Sequence, residues 1–217
     1  MNTRTRIKIC GLTREADVDA AVAAGADAIG FVLYEKSPRH VTPARAAELA
    51  KRLPPFVMPV GLFVNADAAQ LAAAQAALPQ MLIQFHGDET PADCERAGRP
   101  FIRAARMTPG FDLLDFAQQF SRAQAILLDA HVEGYGGGGK VFDWSLIPRN
   151  VPSPVVLSGG LHAGNVAEGI LRVRPWAVDV SSGVEEAKKG LKSAALIRQF
   201  CAAVRDADAQ IAALQET

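Results

Sequence analysis

The chain has 217 residues, 49% of them hydrophobic and 21% charged, with 23 basic residues balanced by 23 acidic ones. A net charge of zero without a basic run excludes nucleic acid as the expected partner, and no apolar segment is long enough to span a bilayer. Three scattered cysteines (Cys10, Cys94, Cys201) and an N-terminus without a long apolar run imply a reducing compartment, read as cytoplasm, with neither a disulfide framework nor a cysteine zinc site.

In chain order, short apolar runs alternate with alanine-rich helical patterns. The first strand is expected over 5–10 and the first helix over 14–24, where Val18, Ala21 and Val22 share a stripe and Gly25 ends it. A strand over 27–33 leads to Thr42-Pro43, an N-cap with proline at the first helical position. A strand over 58–64 precedes strong helix formers over 66–77. After a strand over 81–85, Thr90-Pro91 opens another helix, and Asp93 completes a capping-box pattern. A strand over 100–104 precedes a helix over 111–119. The strand over 124–129 is followed only by a weak helical segment, expected to be one short turn after FDW at 142–144. Strands over 154–158 and 177–181 alternate with helices over 164–173 and 193–206, and the last helix runs on toward the C-terminus with fraying final turns.

Eight buried-looking strands alternating with helices in this length predict a single-domain (β/α)8 TIM barrel, an α/β fold spanning 1–217. An open doubly wound sheet has the same alternation. The barrel is favoured because no GxGxxG or GxxxxGK[ST] follows the first strand, and because polar residues recur after almost every strand, as around a ring.

In such a barrel the chemistry gathers where the strands end. Those ends supply Cys10, Arg39, Asn65, His86, Arg103 with Arg106, Asp129, Ser158-Gly159-Gly160 and Ser181-Ser182-Gly183. Cys10 is either a buried inert thiol or, at the mouth, a base or nucleophile whose ordinary pKa of about 8.5 needs only a modest fall. Asp129, directly after four apolar residues, is a helix cap, an ion-pair partner or a general acid. The glycine- and serine-rich loops after strands 7 and 8 fit a phosphate, because glycines admit close approach of backbone N–H groups and such barrels often hold phosphate there. Arg39, stiffened by Pro38, suits a two-pronged grip on a carboxylate. His86 reads as structural, with no two further ligands beside it, so no metal is expected. The glycine-rich run over 132–142 reads as a lid over the site or a plain flexible loop.

Taken together, KICGLT, SPR, QFHGDE, LLDA, GGGGKVFDW, LSGGL and DVSSGVE, in this order between residues 8 and 185, resemble the phosphoribosylanthranilate isomerase family of tryptophan biosynthesis. The resemblance implies a single-domain barrel that performs an Amadori rearrangement on a small phosphosugar, with no metal and no organic cofactor. It implies Cys10 as general base, Asp129 as general acid and Arg39 facing the anthranilate carboxylate. Gly159, Gly160, Ser181, Ser182 and Gly183 would hold the phosphate. Two positions depart from the family pattern: Gly138 stands where threonine is common, and Lys192 is followed by Ser193 where the family often has aspartate.

Other phosphosugar barrels compete with this reading. An epimerase wants metal-binding His and Asp at several strand ends, and His40, His86, His131 and His162 form no convincing set. An indole-glycerol-phosphate synthase wants catalytic lysines in its strands, and only Lys8 lies in one. A dead barrel that only binds a phosphorylated metabolite or a protein would have lost the acid or the base. A monomer is expected, with no evident exposed apolar stripe, and a dimer stays open.

Overall fold

The computed structural model describes residues 4–130 and 142–215, so His131, Gly138 and all of the glycine-rich loop but Phe142 lie outside the described residues. Eight parallel strands close into a barrel in chain order: β1 (Arg6–Cys10), β2 (Ala28–Val32), β3 (Met58–Phe63), β4 (Leu82–Phe85), β5 (Phe101–Met107), β6 (Ala125–Ala130), β7 (Val155–Leu157) and β8 (Ala177–Val180). β1 pairs with both β2 and β8, which excludes the open sheet.

Outside the ring lie α1 (Glu15–Ala23), α2 (Pro43–Ala50), α3 (Ala68–Ala77), α4 (Pro91–Arg96), α5 (Leu113–Gln119), α6 (Val166–Val173) and α7 (Ala194–Ala213). Their starts are written in the sequence. Thr42 accepts from Arg45 N at 3.2 Å, and Thr90 and Asp93 form a reciprocal capping box. The segment after β6 is a single 3-10 turn, Trp144–Leu146, as expected.

One element runs longer than the sequence indicates. β5 continues to Met107 because it pairs with β6 as far as Met107↔Ala130. The arginines in FIRAARM argue against a buried strand, yet both terminal nitrogens of Arg103 donate inside the fold, to the carbonyls of Phe85, Gly87, Glu89 and Ala104. Helix α7 runs on past 206 to Ala213, as the sequence indicates. Asp208, in that extension, accepts from Thr5 N and Thr5 Oγ1 at 2.7 Å each, which ties the helix to the start of β1.

The core has two parts. The larger lies between strands and helices and includes Ile9, Phe31, Phe63, Phe85, Ile126 and Phe200. The smaller joins Ile102, Ala104, Ala125, Leu127, Val156 and Ala177. Because strand side chains alternate in direction, continuing that smaller set by steps of two reaches Arg106, Asp129, Ser158 and Asp179, with Ser181 beyond. The strands thus have apolar inner lower halves and polar upper ends, and the upper ends form the mouth. At the strand N-terminal ends Phe56 is fully exposed, and Met58 and Trp176 are each 44% exposed, so that face carries large apolar side chains that the sequence reading did not detect.

Candidate active site

Cys10 is the last residue of β1, 4% exposed. Gly30, its partner across to β2, makes room for it: a methyl there would meet Cys10 Sγ at 2.7 Å. Burial pushes the thiol up, beyond what Lys8 and Lys192 pull down, and Asp179 pushes it further up. The modest fall expected from its place at the mouth is therefore absent, because the sequence signals exposure at a strand end while the fold buries it. All three cysteines are free and buried.

Asp129 ends the inward row of β6, three strands around the ring from β1. It caps no helix. Its Oδ1 accepts from Ala130 N at 2.9 Å, and its Oδ2 lies 3.0 Å from His86 Nε2. Gln84 Nε2 lies 3.0 Å from His86 Nδ1; with the amide donating there, the ring proton sits on Nε2, facing Asp129. All three side chains are buried. His86, read from the sequence as structural, has a partner at each ring nitrogen and stands directly against Asp129. The signal was its parity with Gln84 in QFH, which points both inward. Arg103 holds the carbonyls of Phe85 and Gly87 on either side of His86, so it braces the site from behind.

Arg39 is buried and its Nε and Nη2 each contact the Glu185 carboxylate at 2.7 Å. The two-pronged grip expected of it is present, on a carboxylate of the chain itself, with Nη1 outside that pair. Lys192, 1% exposed, donates to Ser181 O at 2.9 Å, Ser181 Oγ at 3.2 Å and Glu185 Oε1 at 3.0 Å. Burial pushes Lys192 down against the pull of Glu185. Lys192 therefore ties the loop after β8 to the Arg39 pair. The departure at Ser193 is explained locally: Ser193 is the N-cap of α7, accepting from Leu196 N at 3.5 Å, a task aspartate performs equally.

The two small-residue loops touch. A methyl on Gly183 would fall 1.9 Å from Leu161 O, so only glycine lets the 3-10 turn Ser182–Val184 pack on the loop after β7. Gly159 has φ +80°, and a methyl there would meet Ala130 N at 2.4 Å and Asp129 Oδ1 at 3.0 Å. The backbone N–H groups of Gly159, Gly160, Ser182 and Gly183 have no hydrogen-bond partner among the described residues. Four such donors on adjoining loops suit an anion. Asn65 and Asp88, by contrast, knit the loops after β3 and β4 together, with Asp88 N donating to Asn65 Oδ1 at 2.7 Å. Among the described residues no group of His, Cys, Asp and Glu is arranged to hold a metal ion, and no helix is long and apolar enough to cross a membrane.

A protein-family model described as N-(5'phosphoribosyl)anthranilate (PRA) isomerase matches residues 7–203. The N-(5'-phosphoribosyl)anthranilate isomerase of Methylibium petroleiphilum is 73% identical over 210 residues, covering 97% of this chain and 98% of its own. A crystal structure of phosphoribosyl anthranilate isomerase in complex with reduced 1-(o-carboxyphenylamino)-1-deoxyribulose 5-phosphate is 36% identical, with a TM-score of 0.79 over 93% of this chain and 99% of that one. Monomers generated from the dimeric Thermotoga maritima isomerase are 35% identical, with a TM-score of 0.79 over 93% and 98% of the two chains. With the match running through every barrel strand, this chain belongs to the N-(5'-phosphoribosyl)anthranilate isomerase family.

Proposed function

We infer that this chain is a phosphoribosylanthranilate isomerase of tryptophan biosynthesis, an intramolecular oxidoreductase that converts N-(5-phosphoribosyl)anthranilate into 1-(2-carboxyphenylamino)-1-deoxyribulose 5-phosphate. The observation that carries the mechanism is the pair Cys10 and Asp129, at the inward ends of β1 and β6 on far sides of one ring.

Asp129 gives a proton to the ribose ring oxygen, and the ring opens to an iminium. Its two oxygens meet the Ala130 N–H and His86, and both stabilise the carboxylate left behind. Cys10, as thiolate, removes the proton on C2. The electron pair of that C–H bond becomes the C1–C2 double bond, the iminium C=N pair moves onto nitrogen, and the resulting enolamine tautomerises to the ketose. One acid and one base suffice, and the proposed reaction uses no metal or organic cofactor.

The substrate phosphate lies against Gly159, Gly160, Ser181, Ser182 and Gly183; the backbone donors of Gly159, Gly160, Ser182 and Gly183, without a partner among the described residues, support this assignment. Arg39 faces the anthranilate carboxylate. Its Nη1 lies outside the Glu185 pair, and Glu185 fixes the guanidinium plane. Holding both ends of the substrate positions the middle between acid and base. The molecule a solved relative holds is the reduced form of the same product, which supports a small phosphosugar as ligand.

We read residues 1–217 as one barrel domain and the compartment as cytoplasm, on the free cysteines. A monomer with a dimer open is the assembly reading. Exposed Phe56, Met58 and Trp176 are the apolar surface a dimer would cover, and sedimentation velocity separates the two.

The test of the reaction is loss of anthranilate-type fluorescence when phosphoribosylanthranilate is mixed with the protein. Cys10→Ala and Asp129→Asn should each lose on the order of 10²–10⁴-fold or more in turnover while staying folded. Near-normal turnover in either variant removes that residue from the mechanism.

A further inference from the structure

We propose that Lys8, held by Asp179, is the positioning residue that makes Cys10 usable as a base: its buried ammonium stabilises the Cys10 thiolate from below. It rests on the reading of Cys10 as the base. Lys8 and Cys10 are two residues apart on β1, so their side chains rise on the same inward face. Both converge above Gly30, where an added methyl would lie 2.7 Å from Cys10 Sγ and 3.1 Å from Lys8 Nζ. The ammonium and the sulfur act on each other electrostatically. Directly across on β8, in register with Lys8, Asp179 accepts from Lys8 Nζ at 2.7 Å. The second oxygen of Asp179 accepts from Ser158 Oγ at 3.4 Å.

A buried Lys–Asp pair is a poor choice for stability alone. Residues of the neighbouring inward rows, Ala104, Leu127 and Val156, are apolar, and an apolar pair in place of Lys8 and Asp179 would hold the barrel as well. What the pair supplies is a fixed cation under a thiol that burial otherwise keeps neutral. Asp179 keeps Lys8 charged: burial works to strip its proton, and Asp179, with Cys10, outweighs burial and raises Lys8 to about 12. The other charges facing Cys10 are Lys192, before α7, and beyond it the Arg39–Glu185 pair, which neutralises itself. In the proton transfer, the C2 proton passes to Cys10 sulfur, the C–H pair becomes the C1–C2 double bond, and the iminium C=N pair moves onto nitrogen. Lys8 neither gives nor takes a proton.

The experiment reads the thiol directly. Thiolate absorbance near 240 nm is titrated in the parent protein and in the Lys8→Met/Asp179→Asn double variant, each minus its Cys10→Ala counterpart so that Cys94 and Cys201 cancel. The double variant replaces the ion pair with a neutral pair of similar size, so the difference between the two backgrounds reads what the pair does to Cys10. Lys8 acts on the thiol more strongly than Asp179 does, so losing both should raise the Cys10 midpoint by about one pH unit or more. The limb of the kcat/KM profile that reports deprotonation of the base should move by the same amount. Lys8→Gln in the Asp179→Asn background serves if the methionine variant does not fold. Equal midpoints in the two backgrounds overturn the proposal. Undiminished turnover by Cys10→Ala instead overturns the base assignment, while the absorbance titration still reads the coupling to Lys8.

Discussion

His86 Nε2 lies 3.0 Å from Asp129 Oδ2, with Gln84 fixing the other ring nitrogen from behind. The proposed acid therefore has an imidazole N–H against it inside the barrel. Replacing His86 by Asn removes that donor from Oδ2 and leaves the carboxylate product of proton donation with the Ala130 N–H alone. The expected result is a fall in kcat on the order of 10²-fold with little change in KM, since the imidazole acts on the acid rather than on the phosphate or the carboxylate ends. Steady-state fluorescence kinetics measure both. A kcat close to that of the parent protein would show that His86 only fills space.

The glycines of the two loops separate binding from chemistry. Gly183→Ala forces the 182–184 turn away from Leu161 O and spreads the phosphate donors. Losing one hydrogen bond to a charged group costs about 1.5–3 kcal/mol, so KM should rise on the order of tenfold or more with kcat less affected. Gly159→Ala presses on Ala130 N and on Asp129 itself, so kcat should fall as well. Competitive inhibition by inorganic phosphate should weaken in both variants. Unchanged phosphate inhibition in Gly183→Ala would remove that loop from the phosphate site.

Most of the barrel was legible because its signals are local. Thr42-Pro43 and Thr90-Pro91 announce helix starts through their own side chains, and the short apolar runs sit between them. The candidate site was legible only as a set of strand ends. The inward parity of Lys8 with Cys10, and of Gln84 with His86, is present in the sequence. Which inward residue meets which is decided across the ring. His86 and Asp129 are 43 positions apart, and Arg39 and Glu185 are 146 apart. The upward push on Cys10 comes from burial in the closed barrel, which no single stretch encodes. What anchors the last turns of helix α7 is decided the same way: Asp208 holds Thr5, 203 residues away.

Ser193 tests whether a departure from the family pattern is a matter of capping. Ser193→Ala removes the acceptor for Leu196 N and should cost about 1 kcal/mol, with turnover unchanged. Ser193→Asp restores the acceptor and adds a negative charge at the positive end of a 20-residue helix, so its stability should equal or exceed that of the parent. Urea denaturation of the three proteins checks the order. A stable alanine variant would mean that Lys192 and the packing of α7 alone fix the helix start.

Glu185 links the site to acid stability. Burial works to raise its pKa, but the hydrogen bonds and charges of Arg39 and Lys192 outweigh burial and hold it below the ordinary carboxylate value. A carboxyl depressed on folding contributes stability that is fully present above its unfolded pKa, about 4.3, and is lost as pH falls through its folded value. The folded protein should therefore lose stability below about pH 4.3, and Glu185→Gln should lose less over that interval because it has no such contribution to shed. At neutral pH the variant should be less stable by on the order of 3 kcal/mol, since Arg39 stays buried without a counter-charge. Thermal unfolding followed by circular dichroism from pH 3 to pH 7 checks both parts. Parallel curves for the two proteins would show that the Arg39–Glu185 pair contributes nothing to acid sensitivity, and that other depressed carboxyls, such as Asp27 held by Arg4, set it instead.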